Sequence, residues 1–447
     1  MNRTHNGKQL IVGMGQTGLS LARYCRMQGW PFDVCDSRSH LPDLSGWSDF
    51  NDVDMFIGDW QSLDMSVYQR LLVSPGVPLA SGEIQAAMAV GVELSCDIQL
   101  FVDAISTPFF AITGSNGKST VTILLTGMLN AAGVTAIAAG NIGVAVLDLL
   151  VEGQSADVFV LELSSFQLEM CQQLPSLAGT LLNLSPDHLD RYADMDHYWQ
   201  AKQRIFNSAQ CAVVNLDDDF SRPEVNIDTV SFSVQQAADV CLQTHQQKPW
   251  IWVDDQPLMA IAELGISGLH NVANVAAALA MMKAANMDVT ASVDFLRTFK
   301  GLPHRCQTVA DKHDIRFIND SKGTNVGSTL AAIEGIGPTV EGRLIWLAGG
   351  VGKGQDFSCL ADICQRYVSA CVLFGQDANL IAQQINAANH TVVVETLEQA
   401  VAHVIPELQS GDVVLFSPAC ASFDQFKNFS ERGDAFVHCV TQWEQGL

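Results

Sequence analysis

The sequence predicts an α/β protein of three domains, each carrying a mainly parallel sheet. Two observations predict it. Short apolar runs end in glycine-bearing turns and lead into helix-period segments, and this alternation restarts near residues 9, 109 and 315. At 447 residues the chain is also long enough for about three domains. The expected domains are 1–97, 98–302 and 303–447. No tandem repeat or low-complexity segment interrupts them.

Apolar residues make up 48 % of the chain, enough to fill several cores. No apolar run reaches the roughly eighteen residues a membrane span needs, and "MNRTHNGKQLIVGMG" carries no secretory segment. Twelve cysteines stand singly without CxxC pairs. A reduced, cytoplasmic protein is expected. Cys420, after Pro418, invites a nucleophile reading, but a packed thiol explains it as well. The formal charge of −24 argues against binding a nucleic-acid backbone, which needs basic area. Small anionic ligands remain possible, because a few local cations and helix N-termini can hold them.

In the first domain, "QLIVGMGQTG" reads as a strand, a turn with Gly13, Gly15 and Gly18, and a helix reaching about Gln28. A second strand ends near Asp36, and "DMFIGDW" and "RLLVSPGVP" add short strands. By rule, this turn followed by an acid about twenty residues on would bind a nicotinamide dinucleotide. The same turn suits any diphosphate, because glycine lets the backbone approach closely.

The second domain opens with "FFAITGSNGKST". Thr113 ends a strand, Gly114 and Gly117 turn the chain, and Lys118, Ser119 and Thr120 begin a helix that Gly133 closes. A regular phosphate loop has Gly where this chain has Ile112. The turn's physics survives that change: loop N–H groups, a helix N-terminus, a lysine and a hydroxyl gather around one point. Nucleotide phosphate binding is therefore expected, and Ser119 suits a magnesium ligand. Magnesium needs more oxygens. Glu162, closing "VFVLE", is a candidate, although capping a neighbouring helix would explain it equally. His188, in "NLSPDHLDRY", is weak evidence alone, and Lys202, in "YWQAKQRIF", would need no function on a helix surface.

The stretch "AGTLLNLSPDHLDRY" is read as another strand running into a helix, and a long amphipathic helix is expected around "DHYWQAKQRIFNSA". The strand "CAVVNL" follows. "TVSFSV" and "PWIWV" suggest small antiparallel additions, and "HNVANVAAALAMMKAAN" predicts a helix. In the third domain, "IRFIND", "RLIWLAGG", "ACVLFG", "HTVVVE" and "DVVLFSPA" are strands alternating with helices. On residue chemistry alone, Lys353 is a loop lysine and Phe429 a core aromatic.

Taken together, these stretches resemble the ATP-dependent Mur ligases of peptidoglycan synthesis. The resemblance spans essentially the whole chain. It rests on "GMGQTG", "SPGVP", "TGSNGKST", "LELSSFQLE" and "NLSPDHLDRY", then on "NDSKGTN", "GGVGKGQDF" and "SPACASFDQFKNFSERG", in that order. It implies an N-terminal Rossmann-like UDP-binding domain, a central phosphate-loop ATPase and a Rossmann-like C-terminal domain. It implies too that ATP phosphorylates the carboxylate of UDP-N-acetylmuramoyl-L-alanine, and that D-glutamate then displaces phosphate.

Carried onto this sequence, the resemblance gives Gly114, Ser115, Asn116, Gly117, Lys118, Ser119 and Thr120 to ATP, with Asn271, Asn274, Arg305 and Asp320. It gives Gly15, Gln16, Thr17, Asp36, Ser37, Arg38, Asn141 and His188 to the UDP substrate, so the opening turn holds UDP and no nicotinamide cofactor. Thr324, Lys353, Ser422 and Phe429 fall to D-glutamate, with Phe423 where a smaller aliphatic is familiar. Lys118, His188, Lys202 and Lys322 are implied in catalysis. Two magnesium ions are implied, one on Ser119 and Glu162, the other on His188 and Lys202, the lysine as a carbamate. A monomer is expected, with no nucleic-acid partner. An oxidoreductase and a non-enzymatic nucleotide-responsive protein are the competing classes; neither predicts acceptor-dependent ADP release.

Overall fold

The computed structural model describes residues 7–40, 45–58, 60, 63–188, 191–266, 268–385 and 391–446. Its first sheet comprises β1 (Gln9–Val12), β2 (Phe32–Asp36), β3 (Met55–Ile57), β4 (Arg70–Val73) and β5 (Glu93–Ser95). The order is β3-β2-β1-β4-β5, with parallel pairing throughout. All four β1 residues are buried, as expected of a strand covered on both faces. The order reverses beside β1, so the turn after β1 and the tips of β2 and β4 border one crevice.

The second sheet begins with β6 (Phe109–Thr113), β7 (Ala136–Gly140), β8 (Val158–Glu162), β9 (Ala178–Leu181) and β10 (Ala212–Asn215). It continues with β11 (Thr229–Ser233), β12 (Val240–His245), β13 (Lys248–Val253) and β14 (Gln256–Ala260). The order is β14-β13-β12-β11-β10-β9-β6-β8-β7. Two expectations are corrected. The stretch "TVSFSV" forms β11, which runs parallel to β10 and β12; the antiparallel pairing begins with β12 and β13. No helix follows β9 among the described residues, because residues 182–188 run as loop; Leu189 and Asp190 lie outside the described residues. The helix expected after it is Met195–Gln203, tightening to a 3₁₀ turn at Arg204–Phe206.

These two sheets share one apolar core. The helix Asp97–Ala104, between β5 and β6, is the pin. Its Phe101 is wholly buried and meets Phe159 of β8 edge-on at 5.1 Å between ring centroids. Arg23 pairs with Asp148 at 3.1 Å beside it. This shared core explains why Met1–Asn183, Tyr198–Met259 and Val275–Phe295 form one compact unit.

The second unit comprises Leu184–His197, Ala260–Asn274 and Leu296–Leu447. Its sheet holds β15 (Gln307–Lys312), β16 (Ile315–Asn319), β17 (Leu344–Gly349), β18 (Val368–Phe374), β19 (Thr391–Val393) and β20 (Val413–Phe416). The order is β15-β16-β20-β17-β18-β19, parallel except for the edge hairpin β15–β16. Its two faces pack separate apolar clusters, around Trp346 and around Phe416. All twelve cysteines are free; Cys359 is exposed, Cys306 and Cys439 are half-buried, and the others are buried. Cys420 is wholly buried and burial pushes its thiol up to about 12, so it is a packing residue and no nucleophile.

Candidate functional site

The strand β6 delivers Thr113, fully buried, to the loop Gly114–Gly117 and the helix Lys118–Ala131. Gly117 has φ 84°, a left-handed conformation that glycine adopts without strain and that lets the helix begin abruptly. Asn183 clamps the loop: its carbonyl accepts from the Ser115 N–H at 3.0 Å, and its Oδ1 from the Asn116 N–H at 2.8 Å. Lys118 bends over the loop and donates to the carbonyls of Gly114 and Ser115 at 2.7 and 3.0 Å. Ser119 and Thr120 are buried in the first helical turn.

Lys202, which the sequence places without purpose on a helix, is 1 % exposed and reaches this same loop. Its Nζ donates to the Gly114 carbonyl at 2.9 Å and lies 4.7 Å from the centre of the Tyr198 ring. The Tyr198 hydroxyl is 3.2 Å from Ser115 Oγ. Lys202 is thus a buried amine at the phosphate turn, where surface exposure had been the simplest expectation.

Glu162 ends β8 and is 2 % exposed. Its Oε1 accepts from Asn141 Nδ2 at 2.8 Å, and its carbonyl accepts from the Asn141 N–H at 2.8 Å. Oε2 is buried with no hydrogen-bond partner among the described residues. Such an oxygen is expensive to bury alone and suits a cation as its missing partner. Ser119 and Glu162 therefore fit a magnesium ion chemically. Among the described residues no three His, Cys, Asp or Glu side chains gather into a metal cluster. Magnesium retains water and needs few protein oxygens, so the donor set remains suitable.

A cavity of about 590 Å³ lies in the same unit. Gly15, Gln16 and Thr17 line it, with Asp36, Ser37 and Arg38, and with Asn141, which follows β7. Sequence reasoning singled out each of these. It missed Ser74, Asp97 and Gln167, which also line the cavity. Asp97 was hidden because an acid at a helix start reads as a dipole partner. Asp36 is held by Arg38, whose Nε and Nη2 donate at 2.9 and 2.7 Å, and by the Met14 N–H at 2.8 Å. Burial would raise this carboxyl, but those bonds outweigh it and hold the group below the usual carboxylate range.

In the second unit, Asp320 follows β16 and accepts from Ser417 Oγ at 2.6 Å and from the Cys306 N–H at 3.1 Å. Burial pushes its carboxyl up to about 6, with the Arg305 charge opposing. Asn274 Nδ2 donates to Asn271 Oδ1 at 3.3 Å, one turn apart on the helix Leu269–Ala284. The structure brings Lys322 and Phe429 together: the Lys322 ammonium sits 4.0 Å from the centre of that ring. Thr324 comes next in the same turn, its N–H donating to the Lys322 carbonyl at 2.8 Å.

Ser422 is buried, whereas neighbouring Phe423 is 73 % exposed. Lys353 has φ 52° and donates to Asp187 Oδ1 at 3.3 Å; Asn325 Nδ2 donates to the other oxygen at 3.1 Å. His188 stands next to Asp187, with Nε2 3.6 Å from Oδ2. Sequence reasoning missed Arg432. It is 1 % exposed and donates to the Ser321 and Cys420 carbonyls at 2.8 and 3.0 Å, tying the turn after β16 to the turn after β20.

A phosphate turn carrying two lysines, a buried carboxylate oxygen and a cavity reaching a diphosphate-type turn define a nucleotide-using enzyme. The chain belongs to the Mur ligase family. The MurD-like N-terminal domain of Mur ligases matches residues 7–96, the Mur ligase middle domain residues 112–282, and the Mur glutamate ligase domain residues 304–420.

The UDP-N-acetylmuramoylalanine–D-glutamate ligase of Vibrio cholerae serotype O1 is 44 % identical over 438 residues, covering 97 % of this chain and 98 % of that one. Its counterpart from Pseudomonas aeruginosa is 42 % identical over 441 residues, covering 97 % and 98 %. Among solved structures, the MurF ligase of Thermotoga maritima in complex with ADP superposes with a TM-score of 0.65 at 15 % identity, covering 99 % and 96 %. The UDP-N-acetylmuramate–alanine ligase MurC of Thermotoga maritima gives 0.62 at 17 %, covering 98 % and 100 %. At such identities the structures speak for the fold. Among the described residues no helix is long and apolar enough to cross a membrane.

Proposed function

We propose that this chain joins D-glutamate to UDP-N-acetylmuramoyl-L-alanine, driven by ATP, through an acyl phosphate. The observation that carries the reading is the whole-length relation, at 42–44 % identity, to enzymes named for that reaction. It is an ATP-dependent amide-forming ligase of the acid–D-amino-acid class, serving peptidoglycan synthesis. We assign 1–97 to the UDP substrate, 98–302 to ATP and 303–447 to the amino acid, in a cytoplasmic monomer.

The alanyl carboxylate is a poor acylating agent, so its oxygen must first become a phosphate leaving group. Moving a phosphoryl group between anions demands neutralisation and in-line placement. Lys118 and the turn Gly114–Thr120 hold the ATP phosphates, while Asn271, Asn274, Arg305 and Asp320 take the nucleoside. Gly15, Gln16 and Thr17 take the substrate diphosphate, Asp36, Ser37 and Arg38 the uridine, and Asn141 the adjoining sugar.

Ser119 and Glu162 would hold one magnesium ion; His188 and Lys202, the lysine as carbamate, a second. Magnesium supplies charge neutralisation at the phosphate oxygens. Lys322 steadies the transferring phosphate. Thr324, Lys353 and Ser422 hold the D-glutamate carboxylates against Phe429, leaving its amine to attack the acyl carbon. The tetrahedral adduct then expels phosphate.

The test is an incubation with ATP, magnesium, UDP-N-acetylmuramoyl-L-alanine labelled with heavy oxygen in its carboxylate, and D- or L-glutamate. Amide formed with the D isomer alone, and label in the released phosphate, is the expected result. Amide without label transfer, or ADP release without amide, would refute the reading.

A further inference from the structure

Asp97 is a cavity group to which the roles above give no work. It opens the helix that pins the first two sheets together, and it lines the same cavity as Asn141 and Gln167. The residue is 4 % exposed, and its Oδ1 is buried with no hydrogen-bond partner among the described residues. Gln167 and the N–H groups of Asp97 and Ile98 lie near the carboxyl and favour its ionised form, which suits a place at a helix N-terminus. They leave that one oxygen unanswered.

Gln167 itself is fixed. Its Oε1 accepts from Ser164 N and Oγ at 3.0 and 3.1 Å, so its amide NH₂ is the end that meets Asp97. Burial pushes the Asp97 carboxyl up to about 6, so it is ionised above neutral pH. A buried carboxylate oxygen held in place without a donor is costly unless a ligand brings one.

We propose that Asp97 positions the saccharide end of the sugar nucleotide, with Oδ1 accepting a hydrogen bond from a hydroxyl or amide N–H of the sugar. This rests on the function proposed above. With uridine at the tip of β2, the wall carrying Asn141, Gln167 and Asp97 meets the part of the ligand beyond the diphosphate. A carboxylate repels the diphosphate itself, so the group it faces must be an uncharged donor. The same repulsion disfavours ligands whose phosphate would fall at that wall, which makes Asp97 a discriminating residue as well.

Calorimetric titration of the full chain at pH 8 with UDP-N-acetylmuramoyl-L-alanine and with UDP alone tests this. Asp97→Ala is expected to weaken the sugar nucleotide about ten- to a hundredfold while leaving UDP within about twofold. Asp97→Asn keeps an acceptor oxygen and is expected to recover most of the loss. In turnover, KM for the sugar nucleotide rises in Asp97→Ala while KM for ATP does not.

Equal weakening of both ligands would mean the residue serves only the fold, and the proposal fails. It fails also if Asp97→Ala binds the sugar nucleotide like the wild type, or if Asp97→Asn is no better than Asp97→Ala. A wild-type chain that binds UDP but not the sugar nucleotide would overturn the function itself, and this inference with it.

Discussion

Lys118 and Lys202 donate to one acceptor, the carbonyl of Gly114, at 2.7 and 2.9 Å. If both amines are protonated, their charges oppose each other across that carbonyl. In the proposed chemistry an ATP phosphate draws Lys118 off the loop, and Lys202 exchanges its amine for a carbamate.

Replacing Lys118 with alanine removes the cation meant for the ATP phosphates. Turnover should fall by about a hundredfold to a thousandfold. Calorimetric binding of the UDP substrate, whose cavity does not include Lys118, should persist. Turnover near the wild-type rate would strip Lys118 of its role.

Lys202→Ala should lose activity on a similar scale, about a hundredfold or more, if the lysine acts as a carbamate. Carbon dioxide turns its cationic amine into an anionic oxygen ligand, and short carboxylates can partly replace that group. Acetate or formate added to Lys202→Ala should therefore restore some ligation. Full activity without any addition would remove Lys202 from the mechanism.

Glu162→Gln keeps the shape but withdraws the charge from the unpartnered Oε2. The magnesium concentration for half-maximal rate should rise by about tenfold or more. Magnesium is expected to raise the Tm of the wild type, and that rise should largely vanish in the variant. An unchanged magnesium dependence in both measurements would argue that Glu162 only anchors Asn141.

Asp36 carries a pH signature. Its carboxyl is held below the ordinary range in the folded chain, so its stabilisation is present above the unfolded value and disappears as pH falls through the folded one. Arg38 is half exposed, so the effect is modest. Urea unfolding of Asp36→Asn at pH 7 should show a loss of about 1 kcal/mol, shrinking towards zero below about pH 4. A deficit that stays constant across this range would contradict the ion pair.

Much of this architecture could be read in advance where local geometry restricts residue choice. The turns at Gly13 and Gly117 needed glycine for their positive φ, and a strand end carrying Glu162 pointed to the edge of a parallel sheet. The burial of Lys202 could not be read, because a lysine near the end of a polar helix satisfies every local rule for exposure. Asp97 was masked by an equally ordinary role at a helix start. The parallel pairing of β11 eluded the pattern too: a five-residue strand of mixed burial looks alike in either direction, and only its long-range neighbours decide.

The distribution of thiols makes the chain selectively addressable. A maleimide needs both access and thiolate, and the buried cysteines offer little of either. Cys359, exposed just before the helix Ala361–Tyr367, is the first to react, and mildly alkaline buffer hastens it because partial burial and Asp356 raise its thiol. One dye can thus be seated on the second unit of the unaltered protein, to follow ligand arrival by fluorescence.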